Sequence, residues 1–236
     1  MTYSQEDLIN VYDHIYSKGD VLHPDKGKGP LGAYASHDNR DGFFINWITK
    51  NFEKGSRILD ASCGRGHLAI SLHERGYKVE ATEVSKWLMK NDLGNLPFPV
   101  HLLRYDQLDR LPSNSFDVVC SNDVLEHMID KDAALAAVDH LIRLSRSALC
   151  LSIGMSRSMN KYTAALGIDK KCRIIRRFEG KMKRHHGFNM HTFTPGAQWW
   201  KNQLFHRVKG KAGGHTFKKR MHQHLLIFGW VKDEEK

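Results

Sequence analysis

Residues Ile58-Leu-Asp-Ala-Ser-Cys-Gly-Arg-Gly-His67 combine a short apolar run, one carboxylate and two closely spaced glycines. An apolar run that meets glycines and then a helical pattern reads as a buried strand, a tight loop and a helix. In open α/β sheets, ligands sit at the carboxyl ends of strands, where the strand order reverses. Gly64 and Gly66 suit such a place. Backbone without a Cβ lets a ligand come close, and loop N–H groups then face it. Gly64-Arg-Gly66-His-Leu-Ala69 also satisfies the loose dinucleotide fingerprint G-x-G-x-x-G/A. Asp60 argues against a dinucleotide, because a pyrophosphate beside it would meet a like charge, whereas an ammonium would be attracted. The ligand that fits is cationic at one end and carries a ribose.

Other reactive residues form no comparable group. Cys63, Cys120, Cys150 and Cys172 stand far apart without a CxxC pair, which excludes a zinc site or a disulfide framework and predicts reduced, buried thiols. Glu126-His127 are two adjacent donors, too few for a metal site, and none is expected.

The surrounding pattern supplies elements to position the loop. Ser4-Gln-Glu-Asp7 resembles a capping box, and Leu8, Ile9, Val11, Tyr12, Ile15 and Tyr16 recur at helical spacing before Gly19. A second helix is predicted from about Arg40 to Phe52. Strands are predicted at Arg57–Ala61, Tyr77–Thr82, Val100–Leu103, Ser115–Cys120 and Ser147–Ser152. Helices fall between them at Gly66–Arg75, Ser85–Asp92 and Asp130–Leu144. Strands separated by helices imply right-handed βαβ units and a mainly parallel sheet covered on both faces. Thr194-Pro195 opens a late helix through Trp199, Trp200 and Leu204. Phe205–Val208 and His224–Phe228 read as a final strand pair.

Leu59-Asp-Ala-Ser-Cys-Gly-Arg-Gly66 resembles motif I of class I S-adenosylmethionine-dependent methyltransferases, written L-D-x-G-C-G-x-G. Further signatures follow in order. They are Val79-Glu-Ala-Thr-Glu83-Val-Ser85, Tyr105-Asp106-Gln107, and Leu111 through Ser121-Asn122-Asp-Val-Leu-Glu-His127. His191-Thr-Phe-Thr-Pro195 is similar to a late segment of the same group, which includes the quinone-biosynthesis methyltransferases and the type 11 and type 23 domains. The resemblance covers roughly Ile58 to Ile153 plus fragments of the tail. It implies a Rossmann-like α/β fold with a seven-stranded, mostly parallel sheet, helices on both faces, N-terminal helices and a basic insertion after strand five. It also implies S-adenosyl-L-methionine as cofactor. Gly64 and Gly66 would then lie along its methionine part, with Asp60 at the ammonium and Glu83 at both ribose hydroxyls. Asp106, with Gln107 beside it, would meet the adenine amino group, and Asn122 would face the methionyl side. Ser62 departs from the usual glycine; it is strained if φ is positive, and otherwise its hydroxyl is a candidate donor to the cofactor carboxylate.

Where the acceptor must lose a proton, His127 is the first candidate base, with His191 and His37 as others. The Asp/Asn-Pro-Pro-Tyr signature of base-amino methyltransferases and the Pro-Cys nucleophile of cytosine-C5 enzymes are absent after strand four, where Ser121-Asn122-Asp123-Val124 stands.

Composition bounds the rest. The chain has 236 residues, 41% hydrophobic and 26% charged, and a net charge of +10. No apolar run approaches the ~18 residues of a transmembrane helix. Glu6 and Asp7 stand where a secretion signal needs cations, so a cytoplasmic location is expected. Residues 1–152 hold 17 Lys and Arg against 21 Asp and Glu, while 153–236 hold 19 against 5. A basic tail attracts polyanions. Arg176, Arg177, Lys183, Arg184 and His191 are therefore the candidate acceptor-binding residues. The acceptor is expected to be an anionic small molecule or a nucleic acid, with peripheral contact to an anionic membrane a further option. The chain divides into an N-terminal helical cap (1–55), a cofactor-binding core (56–153), a basic insertion (154–192) and a C-terminal helix and strand pair (193–236). The predicted activity is methyl transfer to an O or N nucleophile; the alternative is a non-catalytic binding module on the same fold.

Overall fold

The computed structural model describes residues 41–154, Phe193 and 195–208. It also describes the backbone of 213–220 and 225–232 and, near the N-terminus, residues 6, 9, 10, 12, 13, 16 and 17. Helix α1 (Asp41–Asn51) precedes β1 (Arg57–Ala61), α2 (His67–Glu74) and β2 (Lys78–Glu83). Helix α3 is one α-turn (Lys86–Leu88) running on as a π-helix (Met89–Leu93), followed by β3 (Val100–Leu102) and a 3-10 helix (Tyr105–Arg110). After β4 (Phe116–Asn122) come a short 3-10 turn (Leu125–His127), α4 (Lys131–Leu144) and β5 (Ser145–Gly154). Helix α5 (Ala197–Val208), β6 (Gly213–Arg220) and β7 (Leu225–Lys232) complete the order.

The strands lie in the order β3-β2-β1-β4-β5-β7-β6. Five of them, β1 to β5, make the parallel block. A count of seven is reached only through β7, antiparallel to β5, and β6, antiparallel to β7. Alternation along the strands divides the core. Ile58, Val118 and Ala148 face α1 and α2 with Phe44, Ile48 and Leu72, while Leu59, Val119 and Leu149 face α4 and α5. Strands buried on both faces read as continuous apolar runs, which is why β1, β4 and β5 are so legible. Asp130 caps α4 by accepting the Ala133 N–H at 2.9 Å.

One expected element is different. Phe205–Val208 is the last turn of α5, not a strand. Trp200, Leu204 and Val208 are buried at helical spacing, while Phe205 and His206 between them are exposed. A strand would have buried His206 along with Leu204 and Val208.

Cys63, half-buried, and Cys120 and Cys150, both buried, are free thiols, and burial raises the pKa of each well above the usual value. Cys172 lies outside the described residues, as does most of the Ser4–Asp7 segment. Among the described residues no His, Cys, Asp and Glu group could hold a metal, and no helix is long and apolar enough to cross a membrane.

Candidate active site

The strand order reverses between β1 and β4, and a cavity of about 330 Å³ opens there, at the carboxyl ends of β1, β2 and β4. Ile9, Tyr12 and Tyr16 line it from the N-terminal side. The loop after β1 makes its floor, with Ser62, Gly64 and Gly66 all left-handed, at φ 62°, 57° and 79°. Gly64 lines the cavity, and a Cβ there would approach the Tyr16 hydroxyl at 3.4 Å. Gly66 does not line it. A Cβ on Gly66 would lie 3.0 Å from Leu96 Cδ1, so this glycine serves the close packing of α2 onto the loop before β3.

Asp60 is 2% exposed, and its Oδ2 has no hydrogen-bond partner among the described residues. Its pKa is pushed up to about 8, by burial first, then by the Asp41 carboxylate and by Glu83. Glu83, at the end of β2, is equally buried. Its Oε1 accepts the N–H groups of Val84 and Ser85, and its Oε2 accepts that of Gly64, each at 2.8 Å. Burial raises its pKa against the lowering effect of these donors. Glu83 therefore ties the β1 and β2 loops together, a structural duty beyond the one its sequence position implies. Thr82 reinforces the tie, accepting the Ser62 N–H on its hydroxyl and the Cys63 N–H on its carbonyl.

Asp106 lies at the cavity's edge, half-exposed and paired with Arg104 at 2.9 and 2.7 Å. Arg104 also reaches Glu6 at 3.0 Å. Gln107 departs from its expected place at the adenine: its Oε1 accepts the Arg104 N–H, closing the 3-10 helix as a cap, and it does not line the cavity. Asn122 donates to Asp41 Oδ1 at 3.0 Å and accepts from Ser152 Oγ at 2.6 Å, which fixes its amide at the cavity wall.

His127, in the turn after β4, also lines the cavity. Its Nδ1 is 2.6 Å from the Tyr12 hydroxyl, with the rings edge to face. The N-terminal helical residues are held by polar contacts of the same kind. Asp13 Oδ1 accepts from Ser85 Oγ at 2.5 Å and from the Trp87 N–H at 3.1 Å. Tyr12, Asp13 and Asp41 are the site residues that sequence reasoning missed. Helical spacing marks Tyr12 as apolar-face, but nothing in it shows a partner 115 residues away. His37, Arg176, Arg177, Lys183, Arg184 and His191 lie outside the described residues.

The profile of a methyltransferase-domain family, type 23, matches residues 36–171, more than half of the chain. The chain belongs to this methyltransferase family. A ubiquinone biosynthesis O-methyltransferase of Chromobacterium violaceum is 26% identical over 158 residues, 59% of this chain and 67% of that protein. An S-adenosyl-L-methionine-dependent Diels-Alderase of Talaromyces variabilis is 28% identical over 107 residues, covering 42% of this chain and 36% of that protein. Among solved structures, the magnesium protoporphyrin IX methyltransferase of Synechocystis with bound SAH superposes with a TM-score of 0.62 at 17% identity. It covers 96% of this chain and 100% of its own, and shares the fold.

The family's cofactor is S-adenosylmethionine, and the methyltransferase site fits it. Asp60 Oδ2 is a buried acceptor without a donor, in a cavity also lined by Asp41 and Glu83. An ammonium supplies the missing donor and charge; a phosphate would add repulsion.

Proposed function

We propose that this methyltransferase carries the methyl group of S-adenosylmethionine to an oxygen of a small acceptor, with His127 as the base. The observation that carries the reading is the Tyr12–His127 pair on the wall of the cavity that holds the unpartnered Asp60 carboxylate. When bound, the cofactor supplies an electrophilic methyl on a sulfonium whose charge disperses on transfer.

The chain's own residues bind and orient. Asp60 takes the ammonium, Glu83 the ribose hydroxyls through the remaining lone pairs of its carboxylate, and Asp106 the adenine amino group. Asn122, fixed between Asp41 and Ser152, sets the methionyl side. For His127, the basic tautomer is the one in which Nδ1–H donates to Tyr12 Oη. Nε2 would then take up the proton of an acceptor hydroxyl, while a bound cofactor would supply the methyl group to the acceptor oxygen. Much of the remaining work is alignment and exclusion of water. The likeness to a ubiquinone biosynthesis O-methyltransferase supports a hydroxyl as the acceptor group.

The test is transfer of radiolabelled methyl from S-adenosylmethionine to a panel of small phenols, catechols and carboxylates. His127→Ala is expected to lower kcat by 10²–10⁴-fold, the usual range for a general base, with S-adenosylhomocysteine affinity retained. Product binding without transfer to any member of the panel would overturn the O-methyltransferase reading and favour the non-catalytic module.

A further inference from the structure

Tyr12 and Asp13 are neighbours in the N-terminal helical stretch, and adjacent side chains on a helix diverge by about 100°. The two therefore reach different parts of the sheet. Tyr12 Oη lies 2.6 Å from Nδ1 of His127, in the turn after β4. Asp13 Oδ1 accepts the Ser85 hydroxyl at 2.5 Å and the Trp87 N–H at 3.1 Å, at the start of α3 after β2. Strand β1 runs between β2 and β4, so the two contacts straddle two strand spacings, ~10 Å. Tyr16, one helical turn beyond Tyr12, stands over the middle, where a Cβ on Gly64 would approach its hydroxyl at 3.4 Å. The Asp13 end of this bridge is the firm one. Ser85 is fully buried, its N–H is held by Glu83 Oε1 at 2.8 Å, and its Oγ caps α3 by accepting the Leu88 N–H at 3.1 Å. Its single hydroxyl proton is left for Asp13. Ordering a tyrosine on a partner 115 residues away costs conformational entropy, and it is held only as well as the segment that carries it.

We propose that Asp13 is a positioning residue for His127: by fixing the N-terminal stretch on the start of α3, it holds the Tyr12 hydroxyl against Nδ1 and keeps Nε2 bare as the base. The proposal rests on the base reading above and adds to it a residue that does not itself line the cavity. A base after β4 is thereby made to depend on a contact after β2, beside the carboxylate of Glu83.

The test is nitrogen NMR of the full chain labelled at histidine, with the His127 signals assigned by their loss in His127→Ala. A protonated and a bare ring nitrogen resonate far apart, so the tautomer is read directly. In the wild type, His127 is expected to carry its proton on Nδ1. In Asp13→Ala the two nitrogens should drift to the tautomer mixture of a free imidazole, as in Tyr12→Phe, although Tyr12 is still present. Asp13→Ser, whose side chain is shorter, is the second variant and carries the same expectation. Asp13→Asn keeps an oxygen that can accept both donors and should restore the wild-type tautomer. In methyl transfer, Asp13→Ala should lower kcat roughly tenfold to a hundredfold, leave the KM for S-adenosylmethionine within about threefold, and add nothing to Tyr12→Phe. An unchanged tautomer in Asp13→Ala and Asp13→Ser overturns the proposal whatever happens to kcat. Loss of the tautomer in Asp13→Asn as well overturns it too, since the acceptor contact would then not be the cause. A wild-type His127 with its proton on Nε2 would instead sink the base reading on which the proposal stands.

Discussion

Asp60 shows how burial sets the chemistry of one side chain. Its carboxyl is held at about 8 in the folded chain, against 3.8 for an ordinary aspartate. Between those values the folded chain keeps a proton that the unfolded chain has released, so stability without cofactor should fall as pH rises from about 4 to 8. An ammonium ligand selects the ionised form, so binding below pH 8 must expel that proton. At pH 7, calorimetry with S-adenosylhomocysteine in buffers of different ionisation heat should therefore register release of most of one proton. Affinity should climb between pH 6 and 8. Asp60→Asn should abolish both the release and this pH dependence; a proton release that survives the substitution would place the titrating group elsewhere. Glu83 differs from Asp60 because three backbone N–H groups already stabilise its charge.

At the scale of elements, the C-terminal helix shows where pattern reading fails. Apolar residues at Phe205 and Val208 mimic a strand fragment, but the buried set is Trp200, Leu204 and Val208, and the edge-to-face cluster of Phe193, Trp199 and Trp200 anchors the helix against α4 and the sheet. Leu204→Ala should cost ~2–5 kcal/mol by leaving a cavity in this layer, whereas His206→Ala should stay within about 0.5 kcal/mol. Urea denaturation separates the two outcomes, and equal losses would contradict the helical assignment. The N-terminal residues belong to this scale too. Glu6, Tyr12 and Asp13 each reach a different loop of the sheet, so one segment forms part of the cavity wall through polar contacts spread over the β2, β3 and β4 ends.

Over the whole molecule, charge is unevenly shared. The cavity is lined by Asp41, Asp60, Glu83, Asp106 and Asp123, suited to a cationic cofactor, while the chain carries +10 overall, concentrated after residue 152. The basic segment joins the body beside the proposed base. Gly154 N–H donates to Glu126 Oε1 at 2.9 Å, and Phe193 N–H donates to the Glu126 carbonyl at 3.0 Å, so the chain leaves and returns at the residue preceding His127. Replacing Arg176, Arg177, Lys183 and Arg184 with glutamate should leave S-adenosylhomocysteine affinity within about twofold if the basic segment serves acceptor capture alone. Retention on a polyanion column should fall, along with its salt dependence. A matching collapse of cofactor affinity would show that the two charge domains are not separate.

The parallel block, its loops and the placement of Asp60, Gly64, Glu83, Asp106 and Asn122 at strand ends were legible from the sequence. Strands buried on both faces and glycine-bearing loops impose local patterns that survive without knowledge of partners. Gln107 turned out to be a cap, Gly66 a packing glycine and Glu83 a clamp between loops, because each of those duties depends on which atom lies opposite. Tyr12 on His127, Asp41 on Asn122 and Tyr105 on the Ala61 carbonyl were decided only in three dimensions. A hydrogen bond across 115, 81 or 44 residues leaves no periodicity in the chain; it exists because the fold closes those distances to a few ångströms.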